Sequence, residues 1–283
     1  MKYKMKNTIT RLELTSDELR NLQLNILENL IEFDRICRKY NIKYSIDGGT
    51  FLGAVRHKGF IPWDTDADVV IMRDDYTRFL EACKKEMDET SFFLQDYTTD
   101  RYYRWGYSRL LLIGTEYVRA GYEHIPAKNG VFLDIFIMDG VPDNVLFRRI
   151  HKFLCLGIRK ILWSEAGKVV HPNYFMRKWY SVLSLISRDE IFIFQNKLAR
   201  KCNKNNTELI CHMCSPHPKK HSYGFPRKLF EELSEYEFEG KLFYGFSNYD
   251  WYLESIYGDY MKLPEEEDRV SHIPCSAIKL FKN

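Results

Sequence analysis

Three aspartates at alternate positions, Asp64, Asp66 and Asp68, stand directly ahead of the apolar run Val69-Val70-Ile71. In an extended chain every second side chain points to the same face. The spacing therefore predicts three carboxylates projecting together, provided strand geometry begins early enough. Carboxylates so placed repel one another. A hard divalent cation with oxygen ligands, Mg²⁺ or Mn²⁺, is the natural counter-charge, and a phosphate its usual companion. A further acid lies in Phe132-Leu133-Asp134-Ile135-Phe136, where an unpartnered carboxylate is expensive. On a neighbouring strand, Asp134 would complete a metal cage with Asp66 and Asp68, suited to in-line displacement at phosphorus. Upstream, Gly48-Gly49-Thr50 suits a tight turn whose backbone N–H groups approach phosphate at a helix N-terminus. The aspartate triplet alone is equally compatible with a solvated turn. Its order after a glycine pair and before a buried-looking Asp134 is what points to phosphate chemistry.

Other residues are weaker candidates. Arg56 follows the glycines at a spacing that reaches a pyrophosphate, and arginine suits bidentate phosphate contacts; a surface salt bridge is its ordinary alternative. His57 reads as structural or exposed, Trp63 as core, and Asp47 as a cap of the loop. His272 is balanced between phosphate binding or proton transfer and a packed, hydrogen-bonded ring. Cys202, Cys211, His212, Cys214, His217 and His221 cluster within about 20 residues. Cys211-x-x-Cys214 has zinc-like spacing, but with no second such pair, reduced cysteines are the better reading.

The elements that must position these groups follow from periodicity. Thr15 and Glu18 form a capping box ahead of Leu19, Leu22, Ile26, Leu27 and Leu30, which predicts a helix over about 16–40. Strands are expected over 43–47, 66–72, 92–97, 104–113 and 131–137, with a short helix over 51–56 and another over 75–87. Asp139-Gly140-Val141-Pro142 reads as a break. The stretch 144–200 is helical in character, and the C-terminal third is aromatic-rich and mixed. This divides the chain into a core over 1–143, a basic helical region over 144–205 and a mixed segment over 206–283 that packs back on the core.

Composition sets outer limits. The chain has 283 residues, 45% hydrophobic, with 42 Lys and Arg against 39 Asp and Glu. That excludes intrinsic disorder and gives no support for nucleic-acid binding. No apolar run reaches the length of a bilayer span. No signal peptide is visible, and seven scattered cysteines fit reduced thiols, so a cytoplasmic protein is expected. The net charge of +3 conceals a basic stretch after residue 144. There Arg148, Arg149, Lys152, Arg159 and Lys160 alternate with Leu146, Ile150, Phe153, Leu154, Ile158 and Ile161. This pattern fits a solvated helix face over the core. It also fits peripheral contact with the inner face of an anionic membrane, or an acceptor-binding surface.

The longer motifs add a resemblance. The order glycine pair, Asp-x-Asp, then a lone Asp between apolar residues is the pattern of the nucleotidyltransferase superfamily. Within it, the run from Gly49 to Asp68, including Gly53-Ala54-Val55-Arg56-His57 and Pro62-Trp63-Asp64, is similar to the signature of the LicD family. So are Gly130-Val131-Phe132-Leu133-Asp134-Ile135-Phe136, Tyr257-Gly258-Asp259-Tyr260-Met261-Lys262-Leu263-Pro264, and the following Glu265 to Arg269 with His272. The resemblance covers about 20–272 and implies an α+β, nucleotidyltransferase-like mixed sheet flanked by helices. It implies a phosphotransferase moving a phosphorylated small alcohol, phosphocholine first, from a CDP-linked donor such as CDP-choline to a glycan or lipid-linked glycan hydroxyl. Teichoic acid or lipopolysaccharide would be the acceptor class, and CMP the product. Asp66 and Asp68 would be metal ligands, with Asp64 and Asp134 contributing. Asp134 would assist deprotonation. Gly48, Gly49, Thr50, Arg56 and Arg109 would hold the donor, Arg109 lying where the family tends to carry a basic residue before a threonine, here Thr115. The family often has consecutive acids after Pro-Trp, and Thr65 interrupts them here. Two other functions remain open: transfer of a nucleoside monophosphate with pyrophosphate release, and a non-catalytic glycan-binding subunit.

Overall fold

The first helix, α1 (Ser16–Lys39), begins at the capping box: Thr15 Oγ1 accepts from the Glu18 N–H at 3.2 Å, and the Glu18 carboxylate accepts from the Thr15 N–H at 2.8 Å. Its inward stripe of Leu22, Ile26, Leu30, Phe33 and Ile36 is fully buried. These contacts belong to a computed structural model that describes residues 11–212, 223–270 and 274–282.

Beneath α1 lies a mixed sheet. Its path runs β1 (Tyr44–Ile46), β2 (Asp68–Met72), β6 (Val131–Gly140), β4 (Ser108–Leu112) and β3 (Phe92–Gln95). Among the described residues only β2 and β6 pair in parallel, which requires a long crossover. The crossover contains α3 (Arg73–Glu86), β3, β4 and β5 (Glu116–Arg119). β6 is long enough to serve two partners on one side. β4 pairs with its first half and β7 (Leu209–His212) with Met138 to Gly140, and β8 (Phe225–Pro226) extends β7. Asn29 Nδ2 donates to the Val131 carbonyl at 3.1 Å, fixing α1 across β6. The fold is thus α+β with a mixed sheet, as expected. Apolar residues from α1, the sheet and the C-terminal part form one core. The last includes the hairpin β9 (Leu233–Phe238) and β10 (Lys241–Phe246), followed by α7 (Tyr249–Tyr257).

Several boundaries differ from the sequence pattern. α2 (Gly48–His57) starts at the first glycine rather than at Phe51. β6 continues through Asp139 and Gly140, where a break was expected. Asp139 is buried but neutralised: Arg73 Nε donates to Oδ1 at 2.9 Å and Asn203 Nδ2 to the same oxygen at 2.7 Å. Strand β5 was not foreseen, because its partner is β11 (Cys275–Lys279) at the far end of the chain.

The basic region forms α4 (Val145–Val170), α5 (Tyr174–Leu183) and α6 (Arg188–Asn203), with Asn144, Asn173 and Ser187 as N-caps. α4 and α6 share a small core of Cys155, Ile158, Leu162, Ile191, Phe192 and Ala199. Arg188 ties the region to the connection between β3 and β4 by donating to the carbonyls of Tyr97, Asp100 and Tyr103. The six described cysteines are buried and free of disulfides.

One buried group here carries a pH dependence. His151 on α4 is 4% exposed, with Nδ1 3.0 Å from the Tyr223 hydroxyl. Burial lowers its value from 6.5 to about 4. The unfolded chain therefore takes up the proton first as pH falls through that window. Stability should be lost between about pH 6.5 and pH 4, by up to about 3 kcal/mol from this group. In urea titrations across the window, His151→Gln should lose less stability than the wild type. Parallel losses would contradict this origin.

Candidate active site

The strand register builds the centre of the site. Asp68 stands opposite Asp134 in the parallel pair β2–β6, and Arg109 stands opposite Asp134 in the antiparallel pair β6–β4. Three charged residues thus form one row across three adjacent strands. Asp134 is 2% exposed and its charge is met by Arg109, whose Nε donates to Oδ1 at 2.6 Å and Nη2 to Oδ2 at 3.4 Å. Arg109 is itself buried, with its guanidinium carbon 4.0 Å from the ring centre of Phe132 and 4.8 Å from that of Trp105. Its positive charge is committed to Asp134.

Asp64 and Asp66 precede β2, which begins only at Asp68. The alternation holds nonetheless: Thr65, Ala67 and Val69 are buried, while Asp64, Asp66 and Asp68 are half-buried. The carboxyls of Asp64 and Asp66 hydrogen-bond each other. Burial, then the charge of Asp64, push Asp66 well above the usual carboxylate range. Asp68 is pushed the same way by burial and by Asp66, Asp134 and Asp47, and its Oδ1 is buried with no hydrogen-bond partner. A crowd of acids that resist joint ionisation, one with an orphaned oxygen, matches the donor chemistry of a hard cation site. Among the described residues no three His, Cys, Asp or Glu side chains yet converge at ligand distance.

Helix α2 supports these acids from beneath. The Asp68 N–H donates to Thr50 Oγ1 at 2.8 Å, and the Asp47 N–H to the Asp68 carbonyl at 2.9 Å. Gly48 has φ +50°, a left-handed conformation that favours glycine. A Cβ on Gly49 would lie 2.8 Å from Asp64 Oδ2, so the second glycine makes room for the carboxylate. Asp47 is buried, accepts from the Tyr252 hydroxyl, and is pushed up to about 6 by burial.

Two tyrosines of α7 complete the site and were not singled out as site residues in the sequence. Tyr252 holds Asp47. Tyr257 places its hydroxyl 3.7 Å from where a Gly48 Cβ would sit, and burial and the charges of Asp47, Asp68, Asp64 and Asp66 push its phenol up. Its family motif was visible, but only the packing of α7 brings it to the acids. Arg56 lies two turns along α2. Its Nη1 donates to the Tyr260 carbonyl at 2.9 Å and its Nε to His57 Nε2 at 2.9 Å, beside Tyr257. Trp63 is half-buried against the main core. His272, Cys214, His217 and His221 lie outside the described residues. Cys202, Cys211 and His212 form no metal-holding group among the described ones.

Beside the acids, a cavity of about 230 Å³ opens between the β4–β5 side of the sheet and α4. Trp105, Tyr107, Tyr122 and Trp163 wall it, and Arg104, Arg119 and Arg159 charge it. Tyr107 joins it to the strand row, since its hydroxyl accepts from Arg109 at 3.3 Å. Arg119 acts electrostatically on Asp66. The cavity shares Arg104 and Ile125 with a larger outer one of about 580 Å³.

Residues 41–153 match a family model described as LicD/FKTN/FKRP, nucleotidyltransferase domain. Over 266 residues, 90% of this chain and 95% of the relative, the sequence is 32% identical to the lipopolysaccharide cholinephosphotransferase LicD of Haemophilus influenzae. Shorter matches reach an uncharacterized protein of Rickettsia typhi, 45% identical over 20% of this chain and 18% of the relative. Another, of Rickettsia prowazekii, is 46% identical over 18% and 20%.

Proposed function

The chain belongs to the LicD family, and from that premise we propose that it transfers phosphocholine from CDP-choline to a hydroxyl of a cell-surface glycan. The observation that carries this reading is the strand row Asp68–Asp134–Arg109 with Asp64 and Asp66 crowded against it. Mg²⁺ or Mn²⁺ would be held by Asp66 and Asp68, with Asp64 beside them. When bound, it would supply charge neutralisation for the phosphates.

The chain's own residues do the rest. The acceptor oxygen attacks the phosphorus that bears choline, the bond from that phosphorus to the CMP oxygen breaks, and CMP departs. The hydroxyl proton passes to a carboxylate of the cluster. Asp134 offers little room for it, because both its oxygens already accept from Arg109; the half-buried Asp64, beside the two ligands, is better placed. Arg119 and Arg159 receive the diphosphate of the donor, and the cavity's aromatic wall receives its base. Three guanidinium groups exclude the cationic choline end from that cavity. Arg56, at the rim beside Tyr257, offsets charge on the departing CMP.

The test is a panel of CDP-linked choline, ethanolamine, ribitol and glycerol, scored for metal-dependent CMP release with and without glycan acceptors. Pyrophosphate release from a nucleoside triphosphate instead would overturn the proposal. Within it, Arg119→Gln and Arg159→Gln should each raise KM for the donor about tenfold while leaving KM for the acceptor unchanged. An unchanged donor KM would remove the cavity from the donor site.

A further inference from the structure

Helix α4 is apolar on both faces. Its inner face buries Cys155, Ile158, Leu162 and Ala166, while Leu146, Ile150 and Phe153 on its first three turns are 63%, 48% and 74% exposed. A helix apolar all round is expected where both faces are covered. The next helix repeats the arrangement. α5 turns Tyr180 inward against Trp163, with ring centres 4.9 Å apart, and leaves Phe175, Trp179 and Val182 exposed at helical spacing. Leu185, just beyond it, is 84% exposed. Among the described residues, fourteen of the 24 large apolar side chains left exposed fall within 145–194. Such concentration marks an interaction surface.

Charge selects the partner. Residues 144–187 carry eight Lys and Arg against one acid, Glu165, and Glu165 is already bridged to Lys168 at 2.5 Å. Exposed Arg149 and Lys152 sit among the apolar residues of α4, and Lys178 among those of α5. A second copy of this chain would set one cationic face against another. An anionic lipid surface satisfies both properties: aromatic and aliphatic side chains enter the headgroup boundary while the cations meet phosphate. No helix among the described residues is long and apolar enough to cross a membrane, so the contact lies in the interface. We propose that the outer faces of α4 and α5 dock the protein on an anionic membrane surface. Docking depends on these helices alone and not on the donor chemistry.

The test is cosedimentation of the full chain with vesicles of phosphatidylcholine alone or mixed with phosphatidylglycerol. Binding should require phosphatidylglycerol and weaken with salt. The variant R149E/K152E/K178E and the variant F153S/F175S/W179S, all at exposed positions, should each bind at least about tenfold more weakly. These positions lie on the surface, and CDP binding by both variants should equal that of the wild type. Equal binding to both vesicle types, binding unaffected by the substitutions, or absence of binding with concentration-dependent dimerisation would each overturn the proposal. If docking fails while CMP release persists, the activity stands without the membrane. If docking holds and no CDP-linked donor reacts, the converse applies.

Discussion

Replacing Asp66 with asparagine is expected to reduce metal-dependent CMP release by at least about two orders of magnitude and to leave the fold intact or more stable. Both halves have one cause. Burial and the neighbouring Asp64 hold Asp66 in a setting that disfavours its charge, and the orphaned oxygen of Asp68 stands in the same cluster. Removing one carboxylate relieves repulsion in the cation-free protein while removing a ligand from the proposed site. The measurement pairs initial rates with thermal melts. A rate near wild type would refute the assignment of Asp66. A large fall in melting temperature would show that the acid serves the fold.

Arg109→Ala should have the opposite signature. It strands Asp134 at 2% exposure with no counter-charge, and breaking a buried pair in this way costs about 3–5 kcal/mol. That is a large share of the roughly 5–15 kcal/mol typical of a folded protein. A melting temperature lower by about 10 °C is expected. The double variant Arg109→Met with Asp134→Leu removes both charges and should recover most of the loss, yet remain inactive if the strand row serves the reaction. If the double variant is as unstable as the single, the cost lies in packing around Phe132 and Trp105 rather than in charge. Full activity of the double variant would remove Asp134 from the site.

These two residues show where sequence reasoning reaches and where it stops. Asp134 is recognisable as a costly acid among apolar neighbours, but its partner is not. Arg109 lies 25 residues away, and only the pairing of β4 with β6 sets them opposite each other. Arg109 read as a donor-binding residue, and nothing in the sequence signals that its guanidinium pairs with Asp134. The aspartate triplet was legible because alternation is a local property of extended backbone, and it persists even ahead of β2. The capping box that opens α1 was legible for the same reason. The apolar residues of α4 were ambiguous in the sequence. Leu146, Ile150 and Phe153 have the spacing of a core-facing stripe, and nothing local says that the core lies on the other side.

What the sequence determined by itself is the inventory of chemistry: the acids, the glycine pair, the family signature and the basic helical stretch. Each is carried by neighbouring residues, whose geometry follows from backbone periodicity and turn conformation. The tertiary structure alone decided the rest. It set the Asp68–Asp134–Arg109 row, brought Tyr252 and Tyr257 to the acids, paired β5 with β11, and left one face of α4 and α5 uncovered. Each of these joins residues far apart in the chain, through strand register and side-chain packing. Such contacts depend on the whole core at once, so no local pattern can encode them.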